Sequence, residues 1–246
     1  LLHERPFRSP HHSASMVALV GGGNIGGGGQ ILKPGEISLA HRGVLFLDEL
    51  AEFPRHALES LRQPLEDGEV LVCRAYNTVR FPCRCQILAA TNPCPCGHFG
   101  NPLKACRCTP DQVARYQSRL SGPLMDRIDV QIEVPVVPPD VLAASPDGER
   151  TIDVAARVSR ARERQRARQG VLNVALSGGL LESHALADAS ASSFLQTACA
   201  RLGWSGRAFH RVLKLARTIA DLAESDQIRQ AHMAEAIQYR RVLQSG

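Results

Sequence analysis

Lysine is nearly absent from this chain of 246 residues, in which Lys33, Lys104 and Lys214 are the only three. No Gly-Lys-Ser or Gly-Lys-Thr occurs, so the sequence lacks the G-x-x-x-x-G-K-[ST] loop that binds nucleotide phosphates. The glycine-rich run "LVGGGNIGGGGQ" at 19–30 has the glycines of such a loop but neither its lysine nor its hydroxyl. Lys33 cannot replace that lysine, because Pro34 follows it and has no backbone N–H.

Other absences narrow the class of protein. Aromatic residues make up 4% of the chain, so its core must consist mainly of aliphatic side chains. No apolar run approaches the ~18 residues of a membrane span, and no basic-then-apolar leader is present. These features predict a cytoplasmic protein without a membrane partner. The chain begins Leu-Leu-His without an initiator methionine, which favours the interpretation that an N-terminal portion is missing.

Positive charge is concentrated in the last hundred residues. Residues 1–148 carry 14 Lys and Arg against 15 Asp and Glu, whereas residues 149–246 carry 15 against 9. A basic C-terminal part is typical of a protein with a polyanionic partner, although a solvated helical surface gives the same count. Four arginines of this part share one predicted helical face, and either DNA or solvent could lie against them: Arg157, Arg160, Arg164 and Arg168.

Six of the eight cysteines lie between positions 83 and 108. Two short clusters, Cys94-Pro-Cys96 and Cys106-Arg-Cys108, supply four thiolates, which is the ligand set of a tetrahedral structural Zn²⁺ site. The alternative is a reduced surface loop with free thiols. The other four are predicted to be structural thiols, buried in the case of Cys73 and Cys199: Cys73, Cys83, Cys85 and Cys199. No metal role is assigned to His11, His12 or His98.

Hydrophobic patterning predicts an α/β part followed by an all-α part. Apolar runs predict buried strands at 44–47, in "CQILAATNP" and in "DRIDVQIEVPVV", and alternation in "GEVLVCRAYNTVRFP" predicts a hairpin with its turn near 75–77. Helices are predicted over 54–66 and in "TPDQVARYQSRL", where Thr109 is the N-cap. Further helices are predicted near 151–168, 185–201, 206–223 and 229–243. The predicted domains are 1–137 and 151–246, joined by a linker at 138–150.

Polar side chains follow two of these strands. Asp48 and Glu49 come directly after the run 44–47, and Asn92 follows the next predicted strand. Ligands of open α/β sheets bind at the carboxyl ends of strands, so these side chains are placed for chemistry. Asp48 can hold Mg²⁺ through its water shell, and Glu49 can orient or deprotonate an attacking water. The pattern predicts nucleotide hydrolysis, although two solvated acids and a turn-forming Asn would look the same.

Several longer blocks carry a family resemblance: "RPFRSPHHSASMVALVGGG", "PGEISLAHRGVLFLDEL", "LRQPLEDGEV", "AATNPCPCG", "CRCTPDQVARYQSRLSGPLMDRID" and "GRAFHRVLKLARTIADL". Together they resemble the magnesium-chelatase-like AAA+ family over nearly the whole chain. The resemblance implies a partial P-loop NTPase core with a parallel sheet and β-hairpin inserts, followed by an all-α lid. It also implies a homo-hexameric ATPase that uses ATP and Mg²⁺. The branch of the family that these blocks resemble consists of DNA helicases that promote branch migration during natural transformation, so DNA is the implied partner.

The same resemblance implies roles for single residues. Asp48 and Glu49 match the Walker B pair, Asn92 the sensor-1 residue, Arg127 the arginine finger and Arg207 the sensor-2 arginine of the lid. A guanidinium is permanently charged and planar, so both arginines suit a transferring phosphoryl group. In this family the P-loop lies upstream of "RPFRSPHH". The chain alone is therefore expected not to hydrolyse ATP.

Two segments resemble the inserts that line the central pore of this clade, namely the glycine-rich run and the predicted hairpin. The candidate contacts to a DNA backbone are Lys33 on the first segment, and Arg74 and Asn77 on the second.

Two functions other than a DNA helicase are left open for the chain: a magnesium-chelatase ATPase subunit, and a non-catalytic, zinc-stabilised DNA-binding or assembly module. Because pigment-enzyme subunits of the family lack the cysteine block, its presence favours the helicase branch.

Overall fold

The computed structural model describes residues 4–24, 31–74, 77–138, 141, 143 and 148–240. The chain forms two compact units, Leu1–Arg127 and Ile128–Gly246. The first unit contains the described strands together with six α-helices. The second unit is helical and has one isolated β-bridge, between Ala187 and Ile228. The predicted fold class, an α/β part followed by an all-α part, is confirmed. The predicted domain bounds at 137 and 151 stay a prediction beside this division.

A three-stranded parallel sheet organises the first unit, with Val44–Leu47 between Phe7–Arg8 and Gln86–Ala89. Its strands are β1 (Phe7–Arg8), β4 (Val44–Leu47) and β7 (Gln86–Ala89). The central strand β4 has the bounds expected from its apolar run, and its Leu45 and Leu47 are buried. In the register, Arg8 pairs with Leu45 and Leu47 with Ala89, so all three strands end towards one edge.

Two antiparallel hairpins accompany this sheet. Strands β2 (Gly21–Asn24) and β3 (Ile31–Pro34) form the first. The first glycines of the glycine-rich run thus lie in a strand, and its residues 25–30 lie outside the described part. Strands β5 (Glu69–Arg74) and β6 (Asn77–Pro82) form the second, as predicted.

The described part of the first unit contains six short α-helices. They are α1 (Met16–Val20), α2 (Glu36–Leu39), α3 (Arg55–Glu59), α4 (Arg62–Asp67), α5 (Pro110–Gln117) and α6 (Gly122–Met125). Thr109 caps α5 as predicted, in a reciprocal capping box with Gln112. The predicted continuous helix over 54–66 is wrong, because it breaks into α3 and α4. Pro64 has no N–H to donate to residue 60, so a single helix through this segment would lose that bond.

Aliphatic side chains form the core of the first unit, as the scarcity of aromatic residues requires. Leu45 and Leu47 of the central strand pack with the inward faces of helices and the second hairpin. The core residues that are at most 2% exposed are Leu19, Ile37, Ala40, Leu45, Leu47, Ala57, Leu58, Leu61 and Cys83.

The predicted strand in "DRIDVQIEVPVV" is wrong, since residues 128–138 form no strand. The apolar residues do alternate, at Val130, Ile132, Val134 and Val136, but these side chains are 45% to 77% exposed. A strand exists only where its N–H and C=O groups meet a partner, and the described residues pair no strand with this segment. The segment therefore has the alternating apolar pattern of a strand but no neighbouring strand with which to form hydrogen bonds.

The second unit contains five helices among its described residues: α7 (Thr151–Gln169), α8 (Gly179–His184), α9 (Ala189–Leu202), α10 (Gly206–Leu222) and α11 (Gln230–Gln238). Four of them correspond to predicted helices, and the short α8 was not predicted. Asp188 and Ser205 accept backbone N–H groups at the N-termini of α9 and α10. Their apolar faces enclose a core of Leu176, Leu181, Ala191, Leu195, Val212, Ala216, Ala220, Ile228, Met233 and Ala236.

A buried ion pair lies within this helical unit. Arg217 and Asp221 are both 0% exposed and are joined by a 2.9 Å bond from Nη2 to Oδ1. Asp221 also accepts hydrogen bonds from Arg168 at 2.5 Å and from Asn173 at 2.8 Å. Burial by itself raises the pKa of Asp221, but Arg168, Asn173 and Arg217 outweigh it and hold that pKa below its usual value.

Replacing Asp221 by Ala is expected to lower the free energy of unfolding by roughly 3–5 kcal/mol, because Arg217 would stay buried without its carboxylate. The matched control is Asp226→Ala, since the Asp226 side chain is 97% exposed and pairs with Arg164 at the surface. Because the folded pKa of Asp221 is depressed, its stabilisation is present above the unfolded pKa and is lost as the pH falls through the folded one. Urea unfolding at pH 7 measures the difference, and equal stability of the two variants would contradict it.

Candidate nucleotide and metal sites

The carboxyl edge of the parallel sheet gathers three of the predicted site residues. Because Leu47 pairs with Ala89, strands β4 and β7 end side by side. Asp48 and Glu49 leave the end of β4, and Asn92 follows β7; all three side chains are exposed. The structure thus brings the acidic pair and the amide to one accessible edge, where ligands of such sheets bind.

Glu49 has an unusual backbone conformation, with φ 52° and ψ 46°, in the left-handed region that non-glycine residues seldom adopt. Two hydrogen bonds hold this turn. The Glu49 N–H donates to Oδ1 of Asp48 at 2.9 Å, and the Glu52 N–H donates to the Glu49 carbonyl at 2.7 Å. A left-handed residue that is not glycine costs of order 1–3 kcal/mol and is often found at functional sites.

The acidic pair fits a magnesium ion bound through water. In the bond to the Glu49 N–H, Asp48 uses only Oδ1, and its side chain is exposed. Carboxylate oxygens are the donors that Mg²⁺ prefers, and this ion usually keeps several of its waters. Asp48 would hold such an ion, which supplies charge neutralisation for nucleotide phosphates.

The four cysteines of the predicted metal site lie together, with all Sγ atoms of Cys94, Cys96, Cys106 and Cys108 within 4.8 Å of one another. The Cys94–Cys96, Cys94–Cys106 and Cys96–Cys106 separations are 3.5, 3.7 and 3.5 Å. Tetrahedral zinc with Zn–S bonds of about 2.3 Å requires sulfur atoms about 3.8 Å apart. The thiols therefore already have close to the spacing that one Zn²⁺ needs.

Backbone N–H groups point at these sulfur atoms, as is common around metal-bound thiolates. Phe99 donates to Cys94 Sγ at 3.3 Å and Cys108 donates to Cys106 Sγ at 3.4 Å. Hydrogen bonds from the backbone of Arg107 and of His98 lower the pKa of Cys96 to about 5. One thiol of the cluster therefore ionises readily, and a cation would be needed to stabilise four thiolates at such short distances.

The Cys106 thiol has the opposite tendency. The backbone N–H of Cys108 lowers its pKa, but desolvation and the bonds with Cys96 and Cys94 outweigh this and raise it to about 12. Opposite shifts within one cluster are expected when neighbouring thiols share protons.

The cysteine loop lies beside the carboxyl edge of the sheet. A Cβ placed on Gly97 would lie 3.8 Å from Oδ1 of Asn92, so the loop lies close beside that side chain. Gln117 on α5 donates from Nε2 to the Pro93 carbonyl at 3.2 Å. The loop and α5 thus fix both sides of the segment that follows Asn92.

Outside this cluster, Cys83 and Cys85 fit the predicted structural role. Burial raises the pKa of Cys83 to about 12 and that of Cys85 to about 11. The prediction that Cys73 is buried is wrong, because this residue is exposed on β5, and Cys199 is half-buried on α9.

Arg127, the predicted arginine finger, lies in contacts within the first unit. Its guanidinium donates to Oε2 of Glu66 at 2.5 Å, to the Pro123 carbonyl at 2.6 Å and to the Arg62 carbonyl at 3.0 Å. The side chain is 9% exposed. In this conformation Arg127 ties α4 to α6, and reaching a neighbouring subunit would require its release from Glu66. Its finger role stays a prediction.

Arg207 is exposed in the first turn of α10, next to the Ser205 N-cap. Because it belongs to the second unit, its sensor-2 role stays a prediction. The four arginines of the predicted basic face are all ion-paired within the second unit. Arg157 pairs with Glu149, Arg160 with Glu224, Arg164 with Asp226 and Arg168 with Asp221. These four of the 15 basic residues in the C-terminal part are therefore already paired with acids.

The predicted DNA contacts lie on the two hairpins. Lys33 is exposed on β3, opposite Gly22. Arg74 and Asn77 pair at the tip of the β5–β6 hairpin, and their side chains lie outside the described part of the structure. The structure contains both hairpins, whereas their place at a central pore and their contacts to DNA stay predictions.

His12 is a neighbour of the site that the sequence analysis did not assign. Its Nδ1 lies 2.7 Å from Oε2 of Glu49. The only available signal was the position of His12 shortly after Phe7–Arg8, and nothing in the sequence indicates that this short segment pairs with the acidic strand.

Two family descriptions match the chain. Residues 1–142 match "Magnesium chelatase, subunit ChlI" and residues 148–240 match "Magnesium chelatase, subunit ChlI C-terminal". The chain is 50% identical to the competence protein ComM of Haemophilus influenzae over 96% of its own length and 45% of that protein. It is 47% identical to YifB of Escherichia coli, an uncharacterized protein, over 97% of the chain and 46% of YifB.

The chain spans about half the length of these curated relatives. None of the helices in the described part is both long and apolar enough to cross a bilayer. A parallel sheet with acids at its carboxyl edge, a following helical unit and matches that together cover most of the sequence lead to one conclusion: the chain belongs to the magnesium chelatase ChlI family, with a partial AAA+ core and a helical C-terminal region.

Proposed function

We propose that this chain is the C-terminal part of a cytoplasmic, hexameric AAA+ ATPase that couples ATP hydrolysis to movement along DNA. The observation that carries the proposal is the carboxyl edge of the sheet, where Asp48, Glu49 and Asn92 meet. The proposed role is branch migration of DNA during natural transformation, and the similarity to a protein named for competence supports the competence part of it. The family match supports the use of ATP and Mg²⁺.

Each residue of the edge has a part in this reaction. Glu49 accepts a proton from water as that water attacks the γ-phosphorus, and the bond from this phosphorus to ADP breaks, which leaves ADP and phosphate. Asn92 can hold the water or a γ-phosphate oxygen without adding charge. Arg127 from a neighbouring subunit and Arg207 of the lid would bind the transferring phosphoryl group.

Positive side chains beside the cysteine loop support a polyanionic partner. A surface cavity of about 380 Å³ has Arg107, Arg115 and Arg119 in its lining. Arg119 pairs with Glu52 at 2.9 Å, and the other two are exposed. These three arginines are cations suited to a phosphate backbone.

The test uses the full-length protein with ATP and a four-way DNA junction. We expect DNA to stimulate ATP hydrolysis and the junction to be resolved into two duplexes only when ATP is hydrolysed. A non-hydrolysable ATP analogue is the control for binding without turnover. Failure to hydrolyse ATP both with and without DNA would refute the ATPase proposal, whereas ATP hydrolysis without junction movement would refute only the DNA part and favour a magnesium-chelatase ATPase subunit.

A second candidate is a zinc-stabilised DNA-binding or assembly module without catalysis. It is favoured by the four-cysteine cluster, which is complete within this chain, whereas the phosphate loop is not. DNA affinity of the chain alone, measured between 50 and 200 mM salt, tests it. Binding through phosphates must weaken steeply over that range, and affinity that does not change with salt contradicts this candidate.

A further inference from the structure

His12 lies beside Glu49 at the edge where strands β1 and β4 end. Strand β1 pairs with β4 so that Arg8 lies opposite Leu45. Beyond these strands both segments turn, and His12 and Glu49 lie in those turns. There Nδ1 of His12 is 2.7 Å from Oε2 of Glu49.

The imidazole ring of His12 is itself held in place. It lies against the ring of His11, with the two planes tilted by 36° and 4.0 Å between centroids, and edge-on to Phe53 at 6.5 Å. Phe53 is a core residue, only 3% exposed. His11 is fixed in turn by Ser13, whose hydroxyl lies 2.9 Å from its Nδ1. The His12 ring thus has an anchored position, although its side chain is one-third exposed.

The Glu49 side chain needs such a partner. It is 51% exposed, and a glutamate with three rotatable side-chain bonds samples many orientations in water. The left-handed backbone fixes where the side chain starts but not where its carboxylate points. A hydrogen bond from a packed ring selects one orientation of that carboxylate.

We propose that His12 is a positioning residue for Glu49, whose Nδ1–H holds one carboxylate oxygen so that the other faces the attacking water. The inference rests on the proposed ATPase function and adds a residue to it. His12 donates to Oε2, and Oε1 accepts the proton of water. The histidine touches neither nucleotide nor water, so its effect is on turnover and not on ATP affinity.

The test is steady-state ATP hydrolysis by full-length His12→Ala, His12→Asn and His12→Gln variants, with ATP binding measured in parallel. His12→Ala is expected to lower kcat roughly 10- to 100-fold and to leave the KM and Kd for ATP within about twofold. The amide nitrogen of Asn occupies the place of Nδ1, so His12→Asn restores most of the activity. The amide nitrogen of Gln corresponds to Nε2, so His12→Gln stays slow. His56→Asn, at an exposed position of α3, is the matched control.

Other results would overturn the proposal. A kcat for His12→Ala equal to that of the wild type excludes a positioning role. A kcat above that of the wild type would mean that the contact with His12 holds the Glu49 carboxylate away from the attacking water. Equal losses in the Asn and Gln variants, with lowered melting temperatures, would indicate a purely structural role. Absence of ATP turnover in the wild type refutes the ATPase itself, whereas an active wild type that is indifferent to His12 refutes only this inference.

Discussion

Replacing Glu49 by Gln in the full-length protein is expected to abolish ATP turnover while sparing ATP binding. The substitution keeps the size of the side chain and an oxygen that can accept the hydrogen bond from His12, so the geometry of the edge should survive. It removes only the basic carboxylate. A general base contributes roughly 10²- to 10⁴-fold to a rate, so the hydrolysis rate of the variant should fall to the background level of the assay.

The control for this prediction lies three residues away. Glu52 follows on the next turn, is exposed and pairs with Arg119 at the surface. Glu52→Gln removes the same charge from the same neighbourhood and should keep most of the activity, since exposed ion pairs contribute little to stability. An unchanged rate of ATP hydrolysis in Glu49→Gln would contradict the assignment of Glu49 as the general base. Loss of ATP binding would instead assign Glu49 to the nucleotide pocket.

Removal of the metal ligands should have the second large effect. The purified protein is expected to contain about one zinc per chain, and the Cys106→Ser, Cys108→Ser double variant is expected to contain almost none, because two thiolates cannot complete a tetrahedral site. Since Gly97 lies beside Asn92 and Gln117 binds the Pro93 carbonyl, loss of the metal should also reduce ATP turnover of the full-length protein.

Cys73→Ser is the matched control for the metal, because Cys73 is an exposed thiol outside the cluster. Elemental analysis gives the zinc content, and the melting temperature reports the stability. We expect the control to retain zinc and the double variant to melt at a lower temperature. Full zinc content in the double variant, or none in the wild type, would contradict a four-cysteine site.

Local patterns predicted those parts of the fold that depend on local interactions. The run at 44–47, the Thr109 cap and the β5–β6 hairpin each result from periodicity or from side chains a few residues apart. Residues 128–138 have the same periodicity but find no ladder partner among the described residues, and a period of two cannot reveal that. Sequence reasoning thus predicts which segments can form strands and not which of them will pair.

The candidate site divides in the same way. Asp48, Glu49 and the four cysteines could be found because each set is contiguous or clustered in the chain. The partner of Glu49 could not, because 37 positions separate it from His12 and only the strand register joins them. The arginines of α7 show the reverse case. Their charge was visible in the sequence, whereas the acids that pair with them come from other segments of the second unit.

The register of β1 against β4 has a consequence for how this protein can change in evolution. Three residues separate Arg8, the last paired residue of β1, from His12. Within that spacer Ser9 is exposed and can vary, whereas the ring of His11 lies against that of His12 and is constrained. The length of the spacer also sets where the imidazole lies. One inserted or deleted residue would leave the sheet intact and carry the histidine past its partner. Variation in this segment should therefore occur by substitution and seldom by a change in length.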